Sequence, residues 1–156
     1  MIKKTFLWVL VILWMSVIFS LSAQPATQSN AVSRGFTKKI ISVCDFLDVL
    51  SDAETENIAM NINKIVRKCA HFSAYAFLAF LITALVRSYH FRWIHSVVLA
   101  VVLSGLFACT DEYHQLFVPG RSGEIRDVGI DTLGALFGSI LMYLLWNVKK
   151  VILKKF

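Results

Sequence analysis

Much of the vocabulary of soluble enzymes is missing from this chain. Its three cysteines, Cys44, Cys69 and Cys109, form no CxxC pair and no zinc-finger spacing. They therefore read as small buried hydrophobes rather than as metal or redox ligands. A Cys69–Cys109 bridge would require an oxidising compartment and is not expected. There is no Gly-rich phosphate loop, nucleophile elbow or dinucleotide fingerprint, so no cofactor is expected and no catalytic residue can be assigned. The net charge is +6, yet no basic stripe carries interleaved aromatics, which argues against nucleic acid as a partner. Internal repeats and low-complexity segments are also absent.

What the chain has in excess is hydrophobicity. Of its 156 residues 57% are hydrophobic, and the mean hydropathy is +0.66. A soluble domain would carry about 45–50% apolar residues. The excess lies in four blocks of 16 to 21 residues: Phe6–Leu21, Ala70–Val86, Trp93–Ala108 and Val128–Val148. Spanning a bilayer takes roughly 17–25 residues, and in hydrocarbon the backbone must satisfy its own hydrogen bonds. The expected fold is all-α: a single integral membrane domain over 1–156, built as a four-helix bundle. Helices are expected at 6–21, 70–86, 93–110 and 128–148, with an outer loop over 23–68. "MIKK", an apolar run and "SLSAQ" also fit a secretory signal peptide; the length of the run favours a retained helix.

Charge placement gives the orientation. Lys3 and Lys4, Arg87 and Arg92, and Lys149, Lys150, Lys154 and Lys155 flank the blocks with no acid among them. All ten acids lie in the other two loops or just inside the fourth block. The positive-inside rule then predicts a multi-pass cell-membrane protein with both termini cytoplasmic and both acid-bearing loops outside.

In the first outer loop Phe36, Ile40, Cys44, Leu47 and Leu50 recur at helical spacing. Ser51-Asp52-Ala53-Glu54 reads as a capping box, followed by Ile58, Ile62, Ile65 and Val66 on one face. Two amphipathic helices are expected, resting on the membrane or on the protein's own outer end.

The second outer loop holds "TDEYHQLFVPGRSGEIRD". Asp111, Glu112 and Gln115 share one side of a helical turn, with His114 adjacent. Pro119-Gly120 is the usual central pair of a type II turn. Asp127 and Asp131 are four apart, and Gly134 and Gly138 continue that face, where another helix can approach closely. Asp131 lies about one turn inside the membrane, and an ionisable residue there marks a functional site with a partner to be named. Arg67, Lys68, His71, Arg121 and Arg126 are the available partners. Arg67, His71 and Tyr75 share a helical face at i, i+4 and i+8. Acids and bases thus converge on one outward polar cup.

Three readings of the cup stand side by side. It could be an ion-paired seal between helices. It could be a metal site, since His71, Glu112, His114 and Asp131 are suitable ligands, but no HExxH-like spacing supports this, and no metal is expected. It could be a ligand site in which Arg67, Lys68 and Arg121 hold phosphate or carboxylate. There Asp111, Glu112 and Asp127 would orient those bases or bind an amine. His71, whose unperturbed pKa lies near neutrality, could carry a proton.

The segments "FSLSAQP", "RKCAHFSAYAFL" and "DEYHQLFVPGRSGEIRDVGIDTLGALFG" resemble the VanZ-like family of small bacterial membrane proteins. The resemblance covers most of the chain. Carried over residue by residue, it marks Arg67, Lys68, His71, Phe72, Tyr75, Asp111, Glu112, Gln115, Phe117, Pro119, Arg121, Asp127, Gly134 and Gly138. Where many members carry Asn, this chain has Asp131, which puts in doubt any role needing an amide. The family's namesake is linked to low-level teicoplanin resistance. The resemblance therefore implies engagement of membrane lipids, a lipid-linked cell-wall precursor or a lipoglycopeptide. An enzyme acting on a lipid-linked substrate and a structural, partner-binding protein are the alternatives.

The orientation is directly testable. A reporter fused after Phe156 or inserted near Ser88 is expected to be cytoplasmic, and one near Asn30 or Ser122 external. An external signal at Ser88 would reverse the topology and turn the cup inward.

Overall fold

The computed structural model describes residues 2–25 and 52–152. The periodic stretch from Phe36 to Leu50 lies outside the described residues. Four helices make up the fold: α1 (Ile2–Ser22), α2 (Asp52–Ser88), α3 (Trp93–Gln115) and α4 (Ile125–Ile152). Each contains a stretch long and apolar enough to cross a membrane, with α2 doing so over Met60–Ser88. All four helices outrun their expected limits. The helix expected after Ser51 is not a separate amphipathic piece: Asp52–Val66 runs without a break into the second span. No proline or glycine interrupts α2, so nothing in its backbone ends the helix at the membrane edge. At 1.5 Å per residue its 37 residues reach about 55 Å, well beyond a hydrocarbon core of about 30 Å.

The distribution of side chains is that of a bundle in lipid. Along α3 the inward stripe is Ser96, Ala100, Ser104 and Ala108, all fully buried, while Ile94, Val98, Val102 and Leu106 face outward at the same four-residue spacing. On α4, Leu133, Phe137, Ile140 and Leu144 are likewise exposed. Lipid tails solvate these large apolar groups, so on α3 small or hydroxylated residues take the interior, while the central helix α2 buries Tyr75, Leu78, Ile82 and Leu85. Cys69 and Cys109 follow this rule and correct the expectation for them: both are free, exposed thiols rather than buried ones.

Helix α2 is the centre of the bundle and packs most extensively against α4. Their backbones meet at the two glycines. A Cβ at Gly134 would run into the Phe72 carbonyl, and one at Gly138 would overlap the Ala76 carbonyl oxygen. Two turns further along, Thr83 and Ser139 form a fully buried hydroxyl pair 3.1 Å apart. Helix α1 is held to α2 by the Trp14 indole, which donates to the Ala74 carbonyl at 2.9 Å.

The end opposite the polar cup is aromatic and basic. Lys4 Nζ sits 4.3 Å from the Tyr89 ring centroid, and the Arg87 guanidinium sits 4.5 Å from that of Trp93. Trp93 also packs edge-on against Tyr143 and Trp146. Aromatic rings beside cations suit the headgroup region.

The glycine contacts predict opposite outcomes at neighbouring sites. Gly138→Leu is expected to force α2 and α4 apart, costing at least about 1–3 kcal/mol. Gly129→Ala should be neutral or mildly stabilising, because a Cβ there meets nothing within 4 Å. Melting temperatures in detergent check both; an unchanged Gly138→Leu protein would mean that the two helices do not meet at this face.

Candidate functional site

The ten ligand-binding candidates, Arg67, Lys68, His71, Tyr75, Asp111, Glu112, Gln115, Arg121, Asp127 and Asp131, gather at one end of the bundle, and most fall into two groups. The first group ties α1 to α3 and to the turn that follows. Val118 to Arg121 form that turn: the Arg121 N–H donates to the Val118 carbonyl at 3.1 Å, and Gly120 takes the positive φ of 74° that the turn requires. The turn brings Arg121 back over the end of α1. Its Nε donates to the Gln24 carbonyl at 2.9 Å and one Nη to the Leu21 carbonyl at 3.3 Å. Carbonyls at a helix C-terminus lack intrahelical partners, so the guanidinium caps α1. Its other Nη donates to Gln115 Oε1 at 3.3 Å. Burial, and then the nearby Arg67 charge, lower the Arg121 pKa from its ordinary value. A guanidinium nevertheless stays charged in proteins.

Beneath Arg121, Ser22 Oγ donates to Asp111 Oδ2 at 2.7 Å. Gln115 Nε2 donates to Ser22 Oγ and to Glu112 Oε1, each at 3.2 Å. Glu112 Oε2 accepts the Glu124 backbone N–H at 2.9 Å. Asp111, Glu112, Gln115 and Ser22 are all buried. This part of the cup ties the helices together through hydrogen bonds; none of these residues forms an ion pair among the described residues, unlike the ion-paired seal read from the sequence.

The second group lies between α2 and α4 and is far less satisfied. Lys68 Nζ pairs with Asp127 Oδ1 at 2.8 Å at the rim. One turn deeper, His71 Nδ1 faces Asp131 Oδ2 at 3.6 Å, too long for a hydrogen bond. Asp131 is 0% exposed, and neither of its carboxylate oxygens has a hydrogen-bond partner. The Tyr75 hydroxyl and Asp111 Oδ1 are also buried without one. Single ligand-type atoms of His71, Glu112 and Asp131 all come within 4.8 Å of one another.

Of the five bases that could answer Asp131, the geometry selects His71. Lys68 is taken by Asp127 and Arg121 by carbonyls, Arg126 is exposed, and Arg67 lines the same cavity without forming an ion pair with Asp131. His114, grouped with the ligand candidates by residue type, turns away and packs on the Phe19 ring at 4.4 Å. Ser22, the Leu21 and Gln24 carbonyls and the Glu124 N–H are parts of the site that sequence reasoning missed. The "FSLSAQP" segment contains Ser22, but a serine at the end of an apolar run carries no signal of its partner on another helix.

Two cavities open on this end. One, of about 280 Å³ between α1 and α2, carries Arg67, His71 and Arg121 above Ile18 and Ala74. It shares Ile18, Leu21, Ala70 and Ala74 with an apolar groove running down to Trp14 and Phe77. The other, of about 390 Å³ between α2 and α4, is lined by Arg67, Lys68, His71, Asp127 and Asp131. Arg67 and His71 border both.

Comparison with known proteins agrees with this architecture. The profile of the VanZ/LLP1 family matches residues 7–147, nearly the whole chain. No curated protein and no solved structure matches.

The buried network predicts that Ser22→Ala destabilises the protein by about 1–3 kcal/mol, since Asp111 loses its shortest hydrogen bond in a buried setting. Ser20→Ala should leave the melting temperature unchanged, because that hydroxyl only bonds back to Ser16 within α1. Equal melting of the two variants would show that Ser22 does not tie α1 into the bundle.

Proposed function

From the premise that the chain belongs to the VanZ/LLP1 family of membrane proteins, we propose that it binds an anionic amphiphile at the outer leaflet. The polar end faces outward, and both termini are cytoplasmic. The observation that carries this reading is the two-part surface between α1 and α2. A cationic upper cavity leads without interruption of its walls into an apolar lower groove. Arg67 meets the phosphate or carboxylate of a headgroup, for which a guanidinium's paired donors are suited. Lys68 adds charge at the neighbouring rim. An acyl chain lies along Ile18, Ala74, Trp14 and Phe77. Membrane lipids, a lipid-linked cell-wall precursor and a lipoglycopeptide such as teicoplanin share this chemistry, and capture of the last would contribute to glycopeptide tolerance.

The hydrogen bonds give Arg67 and Arg121 different roles. Arg121 already serves three protein acceptors, so it sets the shape of the cavity by holding α1. Arg67 borders both cavities and is the better candidate for headgroup contact.

Thermal melting with added lipid tests the reading. Phosphatidylglycerol is expected to raise the melting temperature of the wild-type chain more than phosphatidylcholine does, by mass action. Arg67→Gln should keep the unliganded melting temperature and lose that difference, whereas Arg121→Ala should lower the unliganded value itself. In cells, a strain lacking the gene should be more sensitive to teicoplanin, with rescue by wild type and not by Arg67→Gln. No preference for the anionic lipid, or a preference that survives Arg67→Gln, would overturn the assignment.

A further inference from the structure

The pair of helices α2 and α4 presents a feature that neither amphiphile binding nor the α1 seal uses. Asp131 is 0% exposed with both carboxylate oxygens orphaned. An uncompensated carboxylate in such a place is among the costliest arrangements a protein can hold. Lys68 pairs with Asp127 and Arg121 caps the end of α1, while Arg67, on the wall of the same cavity, forms no ion pair with Asp131. What does surround Asp131 is an imidazole nitrogen and a second carboxylate. The ligand-type atoms of His71, Glu112 and Asp131 lie within 4.8 Å of one another, on three different helices.

We propose that His71, Glu112 and Asp131 form a binding site for one divalent first-row transition ion of the Mn²⁺ or Zn²⁺ class. One imidazole with two carboxylates is a borderline nitrogen–oxygen set, which favours these ions over Ca²⁺ or Mg²⁺ with their all-oxygen preference. Ligand bonds of about 2.0–2.2 Å require the three groups to close around the ion by side-chain rotation, with Glu112 Oε1 giving up the Gln115 amide that now donates to it. The ion supplies the positive charge that Asp131 lacks. The cavity bordered by His71, Asp127 and Asp131 leaves room for water to complete the coordination shell. Such a centre has three protein ligands and an open position, the arrangement of sites that act on a bound water or an anionic group. His114 is outside it, because its ring is committed to Phe19.

The site stands independently of the amphiphile reading, and its test needs no lipid ligand. The purified full chain, stripped with chelator in detergent, is titrated with Mn²⁺ and followed by electron paramagnetic resonance. Zn²⁺ binding is measured by calorimetry after Cys44→Ser, Cys69→Ser and Cys109→Ser remove competing thiols. Binding of one ion per chain, with a rise in melting temperature, is expected. Asp131→Asn and His71→Gln should abolish it, and His114→Gln should retain it. Absence of stoichiometric binding of either ion to the parent chain would overturn the proposal. So would binding undiminished in His71→Gln, which decides alone if Asp131→Asn does not fold.

Discussion

The approach of α2 to α4 is the constraint on which the rest of this protein depends. In lipid the helices gain little from burying apolar side chains, so close backbone packing must hold them together. Gly134 and Gly138 supply that contact by letting α4 lie directly against the Phe72 and Ala76 carbonyls. The register this sets has a chemical consequence. Asp131 is one turn before Gly134, and His71 is next to Phe72, so glycine packing also fixes the 3.6 Å meeting of imidazole and carboxylate. Any side chain at Gly134 would therefore disturb the site as well as the fold.

The polar end divides its labour. Around α1, each nitrogen of the Arg121 guanidinium and the Gln115 amide finds an acceptor, and the network spans residues about a hundred positions apart in sequence. Around Asp131, acceptors are left without donors. A chain that satisfies most of one half of a polar cluster, Asp111 Oδ1 excepted, and leaves the other half wanting has placed its unmet need on the wall of the cavity between α2 and α4.

The four spans, the Pro119-Gly120 turn and the glycine face were legible because each rests on local pattern: hydrophobic length, turn chemistry, a four-residue repeat. All ten candidate site residues meet at one end for the same reason, since helix ends are readable from charge. Partner choice was not legible. Five bases were possible for Asp131, and selecting His71 depends on helix rotation and on which cations other groups had already taken. The cysteines show a second limit. Hydrophobicity signals an interior position in water, but in a bilayer the outside is itself an apolar phase, so it did not decide the placement of Cys69 and Cys109, which lie on the surface. The start of α2 shows a third: Asp52–Val66 carries the pattern of a separate surface helix, yet an unbroken backbone simply continued it into the span.

The weakness of the metal signal in the sequence has a physical origin. HExxH-type motifs are visible because one helix supplies two ligands at fixed spacing. Here each of three helices supplies one, and the spacing that matters is between helices. Positions 71, 112 and 131 have no relation in sequence until the glycine contact sets α4 against α2 and the Glu124 N–H fixes one oxygen of Glu112. That second contact also explains why Glu112, rather than the adjacent Asp111, joins His71 and Asp131. Asp111 is drawn toward α1 by Ser22, whereas Glu112 is held on the α4 side by the chain entering that helix. Two neighbouring acids on one turn of α3 are thus anchored by different helices, Asp111 by α1 and Glu112 by the entry to α4, with Gln115 linking Glu112 back to Ser22.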